Sequence, residues 1–347
     1  MADRMQAAIF KHHGGPEVLR MGTAPIPVPG RDEAIIQVKA CAVNHLDIWA
    51  RQGMPGAAIP LPHILGCDVA GIIHRLGRRV AGAKIGQSVI VAPGISCGRC
   101  PCCRAGRDSL CPRYNILGFQ VNGGYAEFVR VPIRNLIPVS TARWDFVHWA
   151  AAPLVFLTAW HMLITRGQLQ RGETVLIHAG GSGIGSAAIQ IAKWRGATVI
   201  TTVGSKAKVK KAKALGADQV ISYRTHEFAK EVLRLTGDRG ADLVFEHIGP
   251  ATWAGSVRAI AKGGRLVTCG ATTGREVSLD LRYFFAKELK ISGCYMGGRH
   301  ELDQVLRLVA RGVLKPVVDT ALPLRQAATA HRRLESRQHF GKLVLVP

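Results

Sequence analysis

Hydrophobic and polar positions follow different periods in the two halves of the chain. Near the N-terminus, residues 34–42 alternate apolar Ile36 and Val38 with polar Gln37 and Lys39, which is the period-two pattern of a half-buried strand. Glycines and prolines punctuate the surrounding sequence densely. The first third of the chain is therefore predicted to consist of strands joined by turns.

From about residue 144 the pattern changes. An apolar stretch at 149–163 predicts one buried helix, and strands and helices then alternate. This βαβ order predicts a parallel, doubly wound sheet and an α/β fold class. Strands are predicted at 175–179, 198–203, 242–246 and 265–269, helices at 184–194, 206–215, 227–235 and 252–261, and a closing helix and strand at 302–310 and 342–346.

The bulk composition indicates a folded protein. The length of 347 residues is that of about two domains. A hydrophobic share of 48% and a charged share of 20% are typical of a globular chain. Apolar runs are too short for a membrane helix, and the N-terminal residues have no signal-peptide core. We therefore expect a cytoplasmic protein without a membrane partner.

The net charge of +23 is the unusual bulk property. Lysines crowd residues 206–213, and a second basic group lies at 331–337. A basic field attracts phosphate-bearing partners, which include NADP(H), an acyl-CoA tail and nucleic acid. Because the chain has no recognisable nucleic-acid module, we interpret most of this charge as a solvated surface and expect no nucleic-acid partner.

Four of the nine cysteines have the spacing of a metal site, C-x2-C-x2-C-x7-C, in a lobe at 94–113. Four thiolates surround one tetrahedral zinc and leave no position for a substrate, so the predicted zinc is structural, one per chain. The remaining cysteines are odd in number, which favours free thiols over a disulfide framework. The predicted ligands are Cys97, Cys100, Cys103 and Cys111.

A strand, a glycine turn and a helix start follow one another at 175–185. The glycines allow a tight turn, and the amides at the helix start then face a pyrophosphate. A serine, at position 182, replaces the middle glycine of the strict G-x-G-x-x-G pattern. The turns after the fourth and fifth strands should line the same crevice. The residues predicted to contact a dinucleotide are Gly180, Ser182, Gly183, Ile184, Gly185, Gly249, Gly270 and Ala271.

The end of the second of these strands discriminates between NADP(H) and NAD(H). A carboxylate there would bind the ribose 2′-hydroxyl and repel a 2′-phosphate. Residues 201–208 contain no carboxylate but include Ser205 and Lys208, and Tyr223 follows the third strand, where its ring can lie across the same pocket. We therefore predict NADP(H), with NAD(H) as the alternative.

Taken together, these motifs resemble the medium-chain dehydrogenase/reductase superfamily over essentially the whole chain. The resemblance implies a GroES-like catalytic domain at 1–142 and 298–347 and a Rossmann domain at 143–297. The segment 289–295 resembles the edge strand through which such enzymes dimerise. A homodimer is therefore expected, with a tetramer as the alternative.

The same resemblance assigns roles to single residues. It implies that Ser205, Lys208 and Tyr223 hold the 2′-phosphate of NADP(H). It also implies that Thr158 lies near the nicotinamide amide and that Lys342 reaches the cofactor.

Zinc alcohol dehydrogenases of this superfamily hold a second, catalytic zinc, and its ligand positions differ here. Asn44 stands at the first position, Cys67 at the second and Leu154 at the third. An amide and an aliphatic side chain are poor zinc ligands. The stretch Val43–Asp47, V-N-x-x-D, instead resembles quinone oxidoreductases. The resemblance therefore implies no catalytic zinc.

We expect an NADP-dependent oxidoreductase that reduces quinones or activated double bonds (enones) by direct hydride transfer, with a small carbonyl, enone or quinone substrate. Asn44 is the candidate donor to the substrate oxygen, and Asp47 and Cys67 are the other candidate catalytic residues. Two alternatives stay open: a zinc-dependent alcohol dehydrogenase with a rebuilt metal site, and a basic nucleic-acid-binding protein that keeps the dinucleotide fold. The rebuilt site would use Cys41, His45, Cys67 and Asp68.

Overall fold

Strands dominate the first part of the chain and alternate with helices in the second. The structure is a computed structural model, and it describes residues 3–347. The chain packs into two units. The first is formed by residues up to Leu154 together with Gly298–Pro347, and the second by Val155–Gly297. The metal lobe therefore belongs to the first unit, and the glycine turn to the second.

Antiparallel pairing prevails in the first unit. Its strands, numbered in chain order, are β1 (Arg4–Phe10), β2 (Arg20–Pro25), β3 (Glu33–Ala42), β4 (His63–Ile64), β5 (Asp68–Leu76), β6 (Ser88–Val91), β7 (Gly94–Ile95), β8 (Asn115–Ile116), β9 (Phe128–Pro132), β10 (Leu136–Pro138) and, after the second unit, β17 (Val318–Pro323) and β18 (Lys342–Val346). Its helices are α1 (His45–Gln52), α2 (Pro101–Arg104), α3 (Phe146–Ala150), α10 (Arg299–Ala310) and α11 (Ala327–Glu335).

The central strand of the main sheet is β3. This sheet runs β10-β6-β5-β3-β18-β17, and β9 also pairs with β3. The predicted alternation is observed in the middle of β3, where Val38 is buried and Gln37 and Lys39 are half-buried. Antiparallel pairing of β18 with β3 places Val344 opposite Ala42. This register brings the start of β18 beside the end of β3.

Parallel strands and helices alternate in the second unit, which confirms the predicted α/β class. The strands are β11 (Thr174–Ile177), β12 (Thr198–Val203), β13 (Gln219–Ser222), β14 (Ala241–Glu246), β15 (Ile260–Thr268) and β16 (Lys290–Gly293), and the helices are α4 (Pro153–Trp160), α5 (Gly183–Arg195), α6 (Lys206–Ala214), α7 (Phe228–Leu235), α8 (Pro250–Ala259) and α9 (Leu281–Ala286). The order β13-β12-β11-β14-β15-β16, parallel at every pair, is doubly wound.

The core of the second unit lies where α7 and α8 cover the parallel sheet. Leu176 of β11 and Val244 of β14 pack in one cluster with Val232 of α7 and Val257 of α8. Burial of such side chains is the main favourable term in folding. No helix within residues 3–347 has the length and apolar composition needed to cross a membrane.

The apolar stretch at 149–163 does not form the single buried helix that was predicted. The helix α3 ends at Ala150, α4 begins at Pro153, and residues 161–166 continue in wider, π-type turns. Proline lacks an N–H group and clashes with the preceding turn, so it starts a helix rather than lying inside one. Because α3 packs on β3 and β5, the first unit extends beyond residue 142.

Candidate functional site

The four predicted zinc ligands converge on one point of the lobe. The Sγ atoms of Cys97, Cys100, Cys103 and Cys111 all lie within 4.8 Å of one another. The sulfurs of Cys97 and Cys103 are 3.9 Å apart. Sulfurs that share one tetrahedral zinc at about 2.3 Å are about 3.8 Å apart. The donor set and its spacing therefore fit a metal ion of this kind.

Backbone N–H groups donate hydrogen bonds to sulfurs of this lobe. The amides of Cys97 and Arg113 each donate to the Sγ of Cys111 at 3.4 Å. The amide of Arg99 lowers the pKa of the Cys97 thiol to about 5. Cys102, the neighbour of one ligand, is not part of the converging group. The lobe is therefore organised around four of its five cysteines.

One carboxylate ties the lobe to the start of α10. Asp108 accepts hydrogen bonds from Ser96 Oγ at 3.2 Å and from the backbone N–H of Arg299 at 2.8 Å. Arg299 is the first residue of α10, where N–H groups have no partner within the helix and the helix dipole favours a negative charge. Through this contact, the lobe stabilises the start of α10, which is the segment where the chain re-enters the first unit.

The glycine turn between β11 and α5 is tightly packed. A Cβ at Gly180 would lie 2.3 Å from Thr201 Oγ1, and one at Gly185 would lie 2.3 Å from the backbone oxygen of Ala179. Ser182 is the N-cap of α5, and its Oγ accepts a hydrogen bond from the Gly185 N–H at 3.0 Å. The serine that departs from the strict glycine pattern therefore caps the helix whose start would face a pyrophosphate.

The structure brings together the residues predicted to read the 2′ position. A Cβ on Gly204, at the end of β12, would lie 2.2 Å from Tyr223 Oη, so the tyrosine packs against this glycine. Its side chain stays 44% exposed, which leaves it accessible to a ligand. Ser205 is the N-cap of α6 but makes no capping hydrogen bond with its side chain. Lys208 lies in the first turn of the same helix.

Four further predicted nucleotide contacts lie at the carboxyl ends of strands of the parallel sheet or on α4, whereas Lys342 lies on β18 of the first unit. Gly249 has a φ of +93°, and a Cβ there would lie 3.4 Å from the Cα of Ala271. A Cβ on Gly270 would lie 2.9 Å from the backbone oxygen of His247. The buried Oγ1 of Thr158, on α4, has no hydrogen-bond partner within residues 3–347. A bound ligand can satisfy such an orphaned hydroxyl.

Glu246, at the end of β14, is a buried carboxylate that the sequence analysis did not single out. It accepts hydrogen bonds from the N–H groups of Ile248 at 2.6 Å and Gly249 at 3.1 Å and from Ser256 Oγ at 2.9 Å. The same Ser256 oxygen lies 2.9 Å from His178 Nε2, and burial lowers the pKa of His178 to about 4. This network holds the Gly249 turn. An acidic residue ending an apolar strand is the signal that could have found it.

A second polar cluster lies in the first unit, where β3 ends and β18 begins. Lys342 Nζ donates to Asn44 Oδ1 at 2.5 Å and to Asp68 Oδ2 at 3.2 Å. Asn44 Nδ2 donates to Asp68 Oδ2 at 2.8 Å and to Cys67 Sγ at 3.3 Å. Asp68 Oδ1 accepts from the N–H of Leu154 at 2.8 Å. Both amide hydrogens of Asn44 therefore have acceptors within the chain, and its role as donor to a substrate stays a prediction.

A hydrogen-bonded line that the sequence analysis missed runs from this cluster into the core. Asp47 accepts from the Asn44 N–H at 2.7 Å and from Tyr125 Oη at 3.0 Å, and Tyr125 Oη lies 3.3 Å from His331 Nε2. Burial raises the pKa of Asp47 to about 6. Burial, with the charge of Arg51, lowers the pKa of His331 to about 3. Asp47 therefore anchors the start of α1 to distant parts of the first unit.

The rebuilt metal site does not assemble in this arrangement. Within residues 3–347, the four cysteines of the lobe are the ligand atoms that converge in a group of three or more. The ring of His45 packs edge-to-face on Trp49, and Cys67 Sγ accepts from Asn44. Burial raises the pKa of both Cys41 and Cys67 well above the usual thiol value.

Known proteins match both units of the chain. The family model of the alcohol dehydrogenase GroES-like domain matches residues 30–141, and that of the zinc-binding dehydrogenases matches residues 183–311. An NAD-dependent alcohol dehydrogenase from Sulfurisphaera tokodaii is 31% identical, over 95% of this chain and 96% of its own length. The chain belongs to the medium-chain dehydrogenase/reductase superfamily.

Within the medium-chain dehydrogenase/reductase superfamily, the chain is an oxidoreductase with relatives of more than one activity. A quinone oxidoreductase from Rattus norvegicus is 28% identical, over 99% of this chain and 98% of its own length. A crystal structure of an NAD-dependent alcohol dehydrogenase superposes with a TM-score of 0.95 at 46% identity, covering 99% of this chain and 100% of its own. Because members of both kinds share this fold, the substrate has to be argued from the site.

Proposed function

We propose that this oxidoreductase reduces enones or quinones with NADPH, by direct hydride transfer and without a catalytic zinc. The proposal depends on one observation. Side chains that bind zinc poorly occupy the three positions at which alcohol dehydrogenase relatives would hold a catalytic zinc. They contain the hydrogen-bonded amide of Asn44, the thiol of Cys67 and the side chain of Leu154, with the Lys342 ammonium 2.5 Å from the amide oxygen. An adjacent ammonium repels a metal cation, and this donor set binds zinc poorly.

The residues of the second unit fit a pyridine dinucleotide. Gly185 keeps the turn before α5 compact, because a Cβ would collide with backbone there. When bound, NADPH supplies the hydride. The unpartnered hydroxyl of Thr158 would hold the carboxamide, which aligns the nicotinamide ring. Ser205, Lys208 and the exposed ring of Tyr223 would hold the 2′-phosphate, for which the lysine supplies the opposite charge.

We assign one structural zinc per chain to Cys97, Cys100, Cys103 and Cys111. Four thiolates complete its coordination, so it would cross-link the lobe without reaching a substrate. Its contribution would be to hold Asp108 against the start of α10.

The test is a steady-state assay of the purified protein with NADPH or NADH, against enones, quinones and, with the oxidised cofactors, primary and secondary alcohols. We expect enone- or quinone-dependent oxidation of NADPH that a zinc chelator does not inhibit, with kcat/KM for NADPH at least about 10-fold above that for NADH. Chelator-sensitive oxidation of alcohols with NAD⁺, and no reduction of enones or quinones, would contradict the proposal and favour the alcohol dehydrogenase alternative.

The preference for NADPH has its own matched pair of variants. Lys208→Glu places a carboxylate beside the predicted phosphate site and should raise the KM for NADPH about 10- to 100-fold while changing that for NADH little. Lys210→Glu makes the same charge change at an exposed position of the same helix and serves as the control. Equal effects of the two substitutions would indicate general charge attraction rather than a phosphate site.

We also propose that the enzyme forms a homodimer through the edge strand β16. This strand ends the parallel sheet, so its outer side can pair with the same strand of a second copy. Nearby apolar side chains are exposed: Leu281 by 65%, Phe285 by 69% and Tyr295 by 51%. An exposed apolar group of this kind marks an interaction surface. Sedimentation equilibrium should give the dimer mass at micromolar concentration, and a monomer or tetramer mass would contradict this assembly.

A further inference from the structure

The ammonium of Lys342 is buried, and the chain satisfies it only in part. The residue is 4% exposed, and Asp68, its ion-pair partner, is fully buried. An ammonium has three N–H donors, and within residues 3–347 two acceptors lie within hydrogen-bonding distance, Asn44 Oδ1 and Asp68 Oδ2. One donor therefore remains for another oxygen. Burying a charge is costly unless it is paired and hydrogen-bonded, so this third donor calls for a ligand.

Strand pairing fixes the ammonium at this point. The antiparallel register that sets Val344 opposite Ala42 places Lys342 beside Asn44. In the neighbouring pair, Asp68 of β5 lies opposite the same Ala42. Two paired strands of the sheet therefore carry Lys342 and Asp68 on either side of β3, and Asn44 follows the end of β3 as the N-cap of α1. A group held by paired strands is pre-organised, which is the property that electrostatic catalysis requires.

The other polar groups of the cluster are less able to meet a negative oxygen. Both amide hydrogens of Asn44 are engaged by Asp68 and Cys67. The thiol of Cys67 is fully buried. Asp47 offers a carboxyl group whose two oxygens already accept hydrogen bonds from Asn44 and from other parts of the first unit. Lys342 is therefore the positive donor with remaining capacity.

We propose that Lys342 is a catalytic residue that binds the carbonyl oxygen of the enone or quinone through its third N–H, with Asn44 as the residue that positions the ammonium. This inference rests on the proposed function. In an enone, a hydride supplied by NADPH would add with its electron pair to the β-carbon, the double bond would shift, and the carbonyl oxygen would gain a negative charge that the ammonium of Lys342 stabilises. A solvent proton then adds to the α-carbon, so that the enone is reduced and NADPH is oxidised. The lysine supplies the positive charge that zinc supplies in alcohol dehydrogenases.

The test separates this role from simple neutralisation of Asp68. Lys342→Met removes the charge but leaves a buried carboxylate without its ion pair, which destabilises the fold. The double variant Lys342→Met/Asp68→Asn removes both charges and should recover stability. We therefore measure kcat, the KM for NADPH and the urea midpoint for both variants and for Lys342→Arg, which keeps the charge.

We expect kcat to fall about 100-fold in both variants that lack the lysine, as for loss of one oxyanion donor, with the urea midpoint recovered in the double variant. A higher KM for NADPH at unchanged kcat would overturn this role and favour the contact with the cofactor that the resemblance implies for Lys342. Lys342→Arg should recover part of kcat. Full recovery of kcat in the double variant would overturn the catalytic role and leave the lysine as a counter-ion of Asp68. An inactive wild type would overturn the proposed reaction and this role together, whereas an active wild type beside an equally active Lys342→Met overturns only the role of the lysine.

Discussion

The metal lobe allows the most direct single-residue test, because a ligand and a non-ligand cysteine are neighbours in the chain. The Sγ of Cys103 lies 3.4 Å from that of Cys100 and 3.9 Å from that of Cys97, so it occupies one corner of the tetrahedron. Cys102 is half-buried and lies outside the group. We expect Cys103→Ser to release zinc and Cys102→Ser to retain it.

The size of the effect follows from the coordination number. Four-ligand structural zinc sites have apparent binding free energies of about 10–16 kcal/mol at neutral pH. If each thiolate contributes about a quarter, losing Cys103 costs roughly 3 kcal/mol, which is about a 100-fold weaker affinity. The variant would still bind zinc at high concentrations of the metal, so its content as purified does not decide the question. Competition with a chelator does.

The assay is therefore elemental analysis after equilibration with a graded series of chelator concentrations, on protein purified without added zinc. Wild type and Cys102→Ser should hold about one zinc per chain, and Cys103→Ser should lose its zinc at about 100-fold lower chelator concentration. Equal retention in the two serine variants would refute the assignment of Cys103. About two zinc ions per wild-type chain would refute the absence of a catalytic zinc.

Three further predictions concern the connections around the sites. Asp108→Ala should leave the zinc content unchanged but raise amide hydrogen exchange at the start of α10 by roughly 10-fold, since it removes a capping carboxylate worth about 1 kcal/mol; unchanged exchange would contradict the link. Gly185→Ala should shift the turn by about 1 Å, destabilise by about 1–3 kcal/mol and weaken NADPH binding. At Gly22, an added Cβ would lie 3.5 Å from the nearest atom. The control Gly22→Ala should therefore change neither stability nor NADPH binding, and equal losses in both variants would count against a specific effect at the turn. The pKa of His331 falls from 6.5 to about 3 on folding, so the contribution of this residue to the free energy of unfolding decreases as the pH drops below about 6.5, by about 2 kcal/mol between pH 7 and 5. In His331→Gln, the free energy of unfolding measured with urea should change less between pH 7 and 5 than in the wild type, by that amount. An identical pH dependence in the two proteins would refute a buried neutral imidazole.

Local sequence patterns, namely hydrophobic periodicity and turn residues, predicted much of the fold. Most helices and strands of the second unit begin and end within about two residues of their predicted bounds. The strand β15 is an exception and begins at Ile260, because a bulge lets this residue pair with Ala241 before the predicted start at residue 265. The prediction of a single helix at 149–163 was wrong because the hydrophobic periodicity gave no weight to Pro153, at which a new helix begins.

The sequence by itself determined the sites whose parts lie on one loop. The spacing of the cysteines and the glycine turn between a strand and a helix act over a few residues, so they could be found without a fold. Ser182 was predicted to contact the dinucleotide, but its role as a helix cap was not, because its hydrogen bond to the Gly185 amide depends on the turn geometry.

Only the tertiary structure decided which distant side chains meet. Lys342 and Asn44 are separated by 298 positions, and Tyr125 and His331 by 206. The first contact depends on the register between β18 and β3, and a period-two pattern tells which face of a strand is buried but not which residue lies opposite which. The buried ammonium beside Asn44 is therefore a property of sheet pairing, which no local pattern of the chain encodes.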